Sequence, residues 1–493
     1  MKNEVLRLQN VTTMQDEVTL LDNFNLHIFQ GEIMGLVCIN ANGKESLIQL
    51  ISQNTPVRYG RVYFNEVLVN NYRHSPLKRN KIVVIEQKSR LIQDLSVSDN
   101  VFVLRRGIKK YLINPRVLND QLQRFTKEVG IHLDGNELVA NLSPFEKCVT
   151  ELLRAVIAGA KLIVIRDISN SVSTADLAEF HDLLRYYCKK GFSFLYICSH
   201  HEEAFKICTR VSLMRDGKIL RVFDQNEFKN ENMMPYYIGE YENFEKAIVN
   251  RRGQSEILKF EDVCTENLNH MEFRVTEGEC TVLLDMNNTA VLSDIIRLLN
   301  GGLVQDSGTV YLGKSVFTQQ QARHAITSGV AFIGENPAQT MLFKEMSYIN
   351  NLCFLLDKKK NPIHISNKIL RSVIQEYEPI LGKDIYETNI MNLKLQSLYN
   401  LVYYRIILSH PKIVVCVQPF SGADMYLRRH IIGLINKMKK AGITVVILAV
   451  NIADSLIIAD KLVLLGDGRF RSEYYSSEFS QFSLDGTSLD RII

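Results

Sequence analysis

The chain of 493 residues repeats itself once, and that repeat limits its fold more than any other feature. Gly31-Glu32 leads into an apolar run from Ile33 to Cys38, and Gly278-Glu279 leads into another from Cys280 to Leu284. Arg215-Asp216-Gly217-Lys218 closes the run Val211 to Met214. Gly466-Asp467-Gly468-Arg469 closes Leu462 to Leu465 in the same way. The two separations agree to within about four residues, a difference that loop insertions absorb. A chain this long exceeds one ordinary domain, so each copy is expected to be a domain of its own. The spacing predicts a first domain over 1–240, a polar linker over 241–254 and a second domain over 255–493.

Within each copy, short β-branched runs alternate with amphipathic stretches. Ile82 to Ile85, Leu162 to Ile165 and Phe192 to Cys198 lie in the first copy; Ile413 to Val417 and Thr444 to Ala449 lie in the second. Apolar runs of this length between helical patterns predict parallel strands buried on both faces, and so an α/β fold. The composition, 46% hydrophobic and 23% charged, excludes a disordered chain. A net charge of only +4 gives no support for a nucleic-acid partner. The lysine runs at Asp357 to Lys360 and Lys437 to Lys440 read as solvated faces. Nine cysteines without CxxC pairs suit a reducing compartment and indicate no metal site. Met1 to Glu4 run straight into strand-like sequence without a secretory pattern, and no apolar run reaches the roughly 20 residues a bilayer requires. A cytoplasmic location is expected.

The strongest local signal is Cys38-Ile39-Asn40-Ala41-Asn42-Gly43-Lys44-Glu45-Ser46, between a strand and a predicted helix from Glu45 to Ser52. Backbone N–H groups at such a junction cradle phosphates, and a Lys reaches the outer ones. Gly43-Lys44 fits that pattern. The first Gly of GxxxxGK[ST] is Cys38 here, and the Ser/Thr that should hold Mg²⁺ is Glu45.

Together with this loop, several spaced elements resemble the ATP-binding-cassette family, and within it the fused double-cassette ATPases of ribose- and galactose-type importers. Gln87 followed by Leu95-Ser96-Val97-Ser98-Asp99-Asn100 resembles the family's Q-loop and its "LSVxEN" segment. Leu142-Ser143-Pro144-Phe145-Glu146 stands where the LSGGQ-like signature belongs, and Ser199-His200 where the switch histidine belongs. Arg215 to Lys218 matches "RDGK". Gly334-Glu335-Asn336-Pro337 stands where the subfamily has "PEDR", and Pro411-Lys412, Pro419, Gly422 and Asp424 match part of "PKvLiLDEPTrGiD". The resemblance covers nearly the whole chain. It implies two tandem nucleotide-binding domains, each with a mixed β-sheet core, a P-loop-like α/β layer and a helical subdomain. It also implies ATP as ligand and membrane permease subunits as partners at the inner face of the cell membrane. Each ATP would lie between one cassette's phosphate loop and another's signature, supplied by the other half or by a second copy in a homodimer.

On this resemblance the nucleotide-binding candidates are Asn40, Ala41, Asn42, Gly43, Lys44, Glu45, Ser46 and Gln87. Ser143 and Phe145 are the signature-like candidates, and Asp167 and His200 the catalytic ones. The departures bear on mechanism. The strand Leu162 to Ile165 should end in Asp-Glu and ends in Arg166-Asp167. One carboxylate is missing in either register, which argues against a bound Mg²⁺ and against efficient hydrolysis. The Walker A Ser/Thr and the Walker B Asp meet at the metal in this family. Their replacements, Glu45 and Arg166, are expected to form an ion pair in its place. The second copy is further eroded. Asp285 to Val291 lacks Gly-Lys, with Asp285 expected to repel phosphate; Leu393 to Ser397 lacks the signature glycines; Val417-Gln418 replaces Asp-Glu; and the switch histidine gives way near Asn451. Phe145 is expected to obstruct close approach at the first signature, and Met14 or Gln15 stands where an adenine-stacking aromatic is expected. Two functions follow: an importer's ATP-binding subunit, or a catalytically inactive pseudo-ATPase acting as a scaffold or regulator.

Overall fold

The computed structural model describes residues 3–15, 18–73, 80–102, 115–237, 255–285, 289–356, 367–450 and 455–479. The expected linker, the Asp357 to Lys360 run and Asn451 lie outside them. The chain divides into two compact units, residues 1–242 and residues 243–493 apart from 424–426.

The first unit holds β1 (Glu4–Gln15), β2 (Val18–Phe29), β3 (Ile33–Cys38), β4 (Tyr59–Phe64) and β5 (Val67–Asn71). It continues with β6 (Ile82–Glu86), β7 (Leu162–Arg166), β8 (Ser193–Cys198), β9 (Arg210–Arg215) and β10 (Lys218–Asp224). A four-stranded antiparallel sheet, β2-β1-β4-β5, faces a six-stranded sheet, β10-β9-β3-β8-β7-β6. Only the β9–β10 pair of the larger sheet is antiparallel. The second unit holds β11 (Glu256–Cys264), β12 (Met271–Thr276), β13 (Cys280–Asp285), β14 (Ser307–Leu312) and β15 (Ser315–Val316). It continues with β16 (Val330–Ile333), β17 (Ile413–Val417), β18 (Thr444–Ala449), β19 (Lys461–Gly466) and β20 (Arg469–Tyr475). Its sheets run β12-β11-β14-β15 and β16-β17-β18-β13-β19-β20. The six-stranded orders are the same, so the two units are copies of one α/β plan.

β3 is buried at every position, because it lies between two packed layers. Met34, Leu36 and Cys38 turn toward the antiparallel sheet and the helix Lys44–Gln53. Ile33 and Val37 turn to the opposite face, against the helices Pro144–Ile157 and Thr174–Lys189. β13 repeats this double burial. A helical subdomain completes each unit: Val97–Phe102, Pro115–Val129 and Pro144–Ile157 in the first, Tyr348–Cys353, Asn367–Leu381 and Leu395–Ser409 in the second.

The Gly-Glu repeat has a structural reason. Gly31 and Gly278 both take positive φ, 68° and 77°, to turn the chain into the core strand. Glu32 Oε2 then accepts the Phe29 N–H at 2.7 Å, and Glu279 Oε1 accepts the Thr276 N–H at 2.9 Å. Each glutamate also meets a cation at the start of the neighbouring strand. Arg210 forks onto Glu32 at 2.7 and 3.1 Å, and Lys461 stands 3.5 Å from Glu279.

Two sequence expectations need correction. Lys439 is buried in the helix Met425–Lys440 and pairs with Asp460 at 2.7 Å, so that lysine run is not a solvated face throughout. Its aliphatic stem belongs to the core face, and a buried carboxylate makes the charge tolerable there. Asp285 is also buried, as the last residue of β13, and does not stand in an open loop to repel phosphate.

Candidate functional site

Parallel strands deliver their carboxyl ends to one edge of a sheet, where ligands of α/β folds bind. In the first unit β3 delivers the loop to Lys44, β7 delivers Arg166 and Asp167, β6 delivers Glu86 and Gln87, and β8 leads to His200. β6 and β7 pair in parallel with Glu86 opposite Arg166, so the register alone makes them neighbours.

The loop turns into its helix at Gly43, whose φ of 81° is left-handed. A Cβ there would lie 2.4 Å from the Leu20 carbonyl oxygen, so only glycine fits. The rest of the loop is pinned to the β9–β10 turn. Asn40 Nδ2 and Asn42 Nδ2 donate to Asp216 Oδ1 at 2.7 and 3.0 Å, and the Asp216 N–H donates to Asn40 Oδ1 at 3.1 Å. Ala41 contributes its carbonyl to the Lys44 N–H at 3.3 Å. The Ser46 hydroxyl is shared with Thr13 at 2.9 Å. Cys38, at the first loop position, has its thiol pushed up to about 12, chiefly by burial, and stays an inert core thiol.

Lys44 Nζ lies 2.6 Å from Asp167 Oδ2, with both side chains largely buried. Asp167 takes left-handed φ of 50° just beyond β7, and its N–H is fixed to the Ile197 carbonyl of β8 at 3.0 Å. Arg166 Nη1 donates to Glu45 Oε2 at 2.8 Å and to Glu86 Oε1 at 3.4 Å. Its Nε stands 3.7 Å from the same Asp167 oxygen that Lys44 holds. Arg90 closes the chain on Glu86 at 3.0 Å. The ion pair expected from the two replaced motif positions is therefore present. It sits inside a wider set in which Lys44, Arg166 and Arg90 balance Asp167, Glu45 and Glu86. Sequence reasoning missed Glu86 and Arg90. Glu86 directly precedes Gln87, and strand register would have placed it beside Arg166.

Gln87 is half-buried just past β6, and His200 is half-buried before the helix His201–Ile207. Beyond Gln87, the buried Glu151 accepts the Arg90 N–H at 2.7 Å and the Ser89 hydroxyl at 3.1 Å. Glu151 lies on the helix Pro144–Ile157, so the Q-loop region is tied to the helical subdomain. Burial raises the Glu151 carboxyl above the usual range.

The signature-like segment forms a capping box. Ser143 Oγ accepts the Glu146 N–H at 3.2 Å, and Glu146 Oε2 accepts the Ser143 N–H at 2.8 Å. The anionic Glu146 thus occupies the helix N-terminus, where a phosphate would otherwise gain from the dipole. Phe145 is half-buried and packs against the core beneath its helix, so only part of the ring stands in the way of an approaching group. Met14 is in contact with Arg58, whose Nη1 lies 2.9 Å from its sulfur.

Among the described residues, the second unit keeps the backbone plan at the end of β17 with different side chains. Gln418 matches Asp167: it takes positive φ of 42°, and its N–H donates to Leu448 O at 2.9 Å. Val417, the last residue of β17, stands where Arg166 stands in the first unit.

These residues fit phosphate in kind, through Lys44 and the helix start behind Gly43. They do not fit Mg²⁺. The positions that would hold it carry Glu45 joined to the guanidinium of Arg166.

The ABC transporter family model matches residues 21–167. Ribose import ATP-binding protein RbsA of Clostridium perfringens strain SM101 is 23% identical over 500 residues, covering 98% of each chain. Xylose import ATP-binding protein XylG of Moorella thermoacetica is 21% identical over 499 residues, again covering 98% of each. The chain thus carries an ABC transporter domain in its first half and as a whole is similar to the tandem-cassette ATPases of that family. More narrowly, it is homologous from end to end with the ribose and xylose import ATP-binding proteins. A solved ATP-binding cassette of an ABC transporter in its ADP conformation is 18% identical over 48% of this chain and 97% of its own, with a TM-score of 0.41. Among the described residues, no helix is long and apolar enough to cross a membrane.

Proposed function

We propose that this chain is the ATP-binding subunit of a sugar-type import system, held on permease subunits at the cytoplasmic face of the membrane, with ATP hydrolysis weak or lost. The end-to-end match to ribose and xylose import ATP-binding proteins supports the importer part. The Arg166–Glu45 pair carries the loss of turnover. Phosphoryl transfer relies on positioning and on a metal that neutralises developing charge. Here the metal positions are self-paired, and the one carboxylate positioned to orient water, Asp167, is bound to Lys44.

In this reading the first half holds ATP weakly through Lys44 and the Gly43 turn, with Gln87 and His200 facing the same edge. The second half acts as scaffold. A catalytically inactive regulator is the second reading, and the eroded Val417-Gln418 end of β17 favours it. Steady-state ATP hydrolysis by the full chain tests the proposal. Turnover far below the ~10 s⁻¹ typical of enzymes is expected, and unchanged in Lys44→Ala. Mg²⁺-stimulated turnover near that value, abolished by Lys44→Ala, refutes the loss of hydrolysis.

A further inference from the structure

We infer that Arg166 is a built-in replacement for the divalent cation at the phosphate loop, so that the first half takes a nucleoside triphosphate free of metal, with Asp167 as the gate on Lys44. The inference rests on the nucleotide-binding reading above and adds the form of the ligand and the residue that controls access.

Three observations carry it. First, Arg166 sits at the strand end where the family resemblance implies a metal-holding Asp, and its guanidinium bonds Glu45, which replaces the other metal ligand. Glu86 satisfies it from a second side. A fixed cation with carboxylate partners on two sides neutralises the anionic pocket a dication would need.

Second, Lys44 is not idle. Its ammonium lies 2.6 Å from Asp167 Oδ2, so a phosphate must displace a carboxylate to reach it. Third, the displaced carboxylate has somewhere to go. The same Oδ2 already stands 3.7 Å from Arg166 Nε, so release from Lys44 leaves Asp167 facing a second cation instead of stranding it. The charges arrange an exchange: phosphate takes Lys44, and Asp167 leans onto Arg166. A magnesium-bound triphosphate would bring its dication into the guanidinium, whereas the metal-free tetraanion would not.

Calorimetric titration of the full chain with ATP, in EDTA and in Mg²⁺, tests this. ATP is expected to bind at least about tenfold more weakly in excess Mg²⁺ than in EDTA, because the metal sequesters the tetraanion the site takes. Asp167→Asn is expected to tighten ATP by about tenfold in EDTA, because Lys44 is released. The double variant Arg166→Asp/Glu45→Ser is expected to become Mg²⁺-dependent and to bind Mn²⁺ with ATP, read by electron paramagnetic resonance. Arg166→Lys keeps a cation with little change in bulk and is expected to keep the wild-type preference for metal-free ATP, which guards against a folding defect in the double variant. Wild-type binding as tight with Mg²⁺ as with EDTA, or tighter, overturns the inference and leaves the nucleotide-binding reading standing. An unchanged affinity in Asp167→Asn overturns the gate. Failure of both wild type and Asp167→Asn to bind ATP in either buffer refutes the nucleotide-binding reading itself, and the inference with it.

Discussion

Arg166 shows how one side chain can set the charge of a whole site. It is the shared partner of Glu45, Glu86 and Asp167, and it is only 23% exposed. Removing it leaves three carboxylates facing one another, with Lys44 and Arg90 at the margins. Arg166→Met is expected to destabilise the chain by about 2 kcal/mol, since a partly buried pair that loses one member leaves the other uncompensated. Glu45→Gln is expected to cost under ~0.5 kcal/mol, because Glu45 is 59% exposed and water replaces the guanidinium. Urea unfolding followed by circular dichroism separates the two. Another residue-scale prediction concerns His181. Its Nε2 lies 2.9 Å from the Tyr196 hydroxyl, which donates its proton to the buried Glu203 at 2.5 Å. Burial, aided by Arg185 and Lys206 and opposed by Asp182, lowers the His181 pKa from 6.5 to about 4. The unfolded chain therefore binds the proton more readily, and the stability from a neutral His181 is complete above pH ~6.5 and lost as pH falls toward ~4. His181→Gln, which cannot titrate, is expected to flatten the wild type's loss of stability over that window. A wild-type denaturation midpoint constant from pH 7 to 4.5 counts against this account. At this scale the sequence was partly legible. The Glu45–Arg166 pair could be anticipated because two motif replacements had complementary charges. The Lys44–Asp167 pair could not, because a lysine in a phosphate loop reads as a ligand for phosphate until its nearest carboxylate is seen.

Among the elements, the same local devices recur in both halves, and the sequence marked only some of them. Asn100 ends the Leu95 to Asn100 segment and is buried. Its Oδ1 accepts the Ile92 N–H at 2.8 Å, and its Nδ2 donates to the Ile92 and Ser96 carbonyls at 3.0 and 3.1 Å. Asn351 does the same in the second half, accepting from Phe343 N–H at 3.0 Å and donating to Phe343 and Met346 carbonyls at 2.9 and 3.0 Å. Only a primary amide of this length closes such a loop, because it offers both a donor pair and an acceptor. Asn100→Asp and Asn351→Asp are each expected to cost about 2–3 kcal/mol, since a buried carboxylate cannot donate to those carbonyls. Proteolytic susceptibility, read half by half, is the check, and each substitution should loosen only its own helical subdomain. The Ser143–Glu146 box was not read from the sequence as a helix cap. Ser-x-x-Glu is a helix start on local grounds, yet its place in the order of motifs invites reading it as a worn signature. In the structure the Ser143 hydroxyl and the Glu146 carboxylate accept from each other's backbone N–H groups. Ser143→Ala is expected to cost about 1 kcal/mol, the usual loss of an N-cap. Glu86 stayed hidden because its partner is set by the pairing of β6 with β7, which are far apart in sequence.

For the molecule as a whole, the two halves have kept one topology and divided its chemistry. β3 and β13 are equally buried, and the turn-closing Glu32 and Glu279 work alike. Burial holds these positions regardless of function, because a polar or smaller residue inside a two-faced strand costs several kcal/mol. No such constraint acts on loop residues at the strand ends, and there the halves diverge. The first retains Lys44 on a glycine turn; the second has no Gly-Lys or Gly-Arg between Asp285 and Val291. Nucleotide capture should therefore be one-sided. Photolysis of the full chain with an 8-azido-ATP probe in EDTA, followed by peptide mapping, is expected to place label in peptides from residues 18–237. Label in peptides from residues 255–479 is expected to stay at the level seen with excess competing ATP. Lys44→Ala should remove most of the specific label, because the sequence from Asp285 to Val291 carries no Lys or Arg. Asp167→Asn should increase it. Specific label of comparable yield in both halves would mean that nucleotide affinity in this chain does not depend on the loop lysine, and the division of labour argued from Lys44 would then fail.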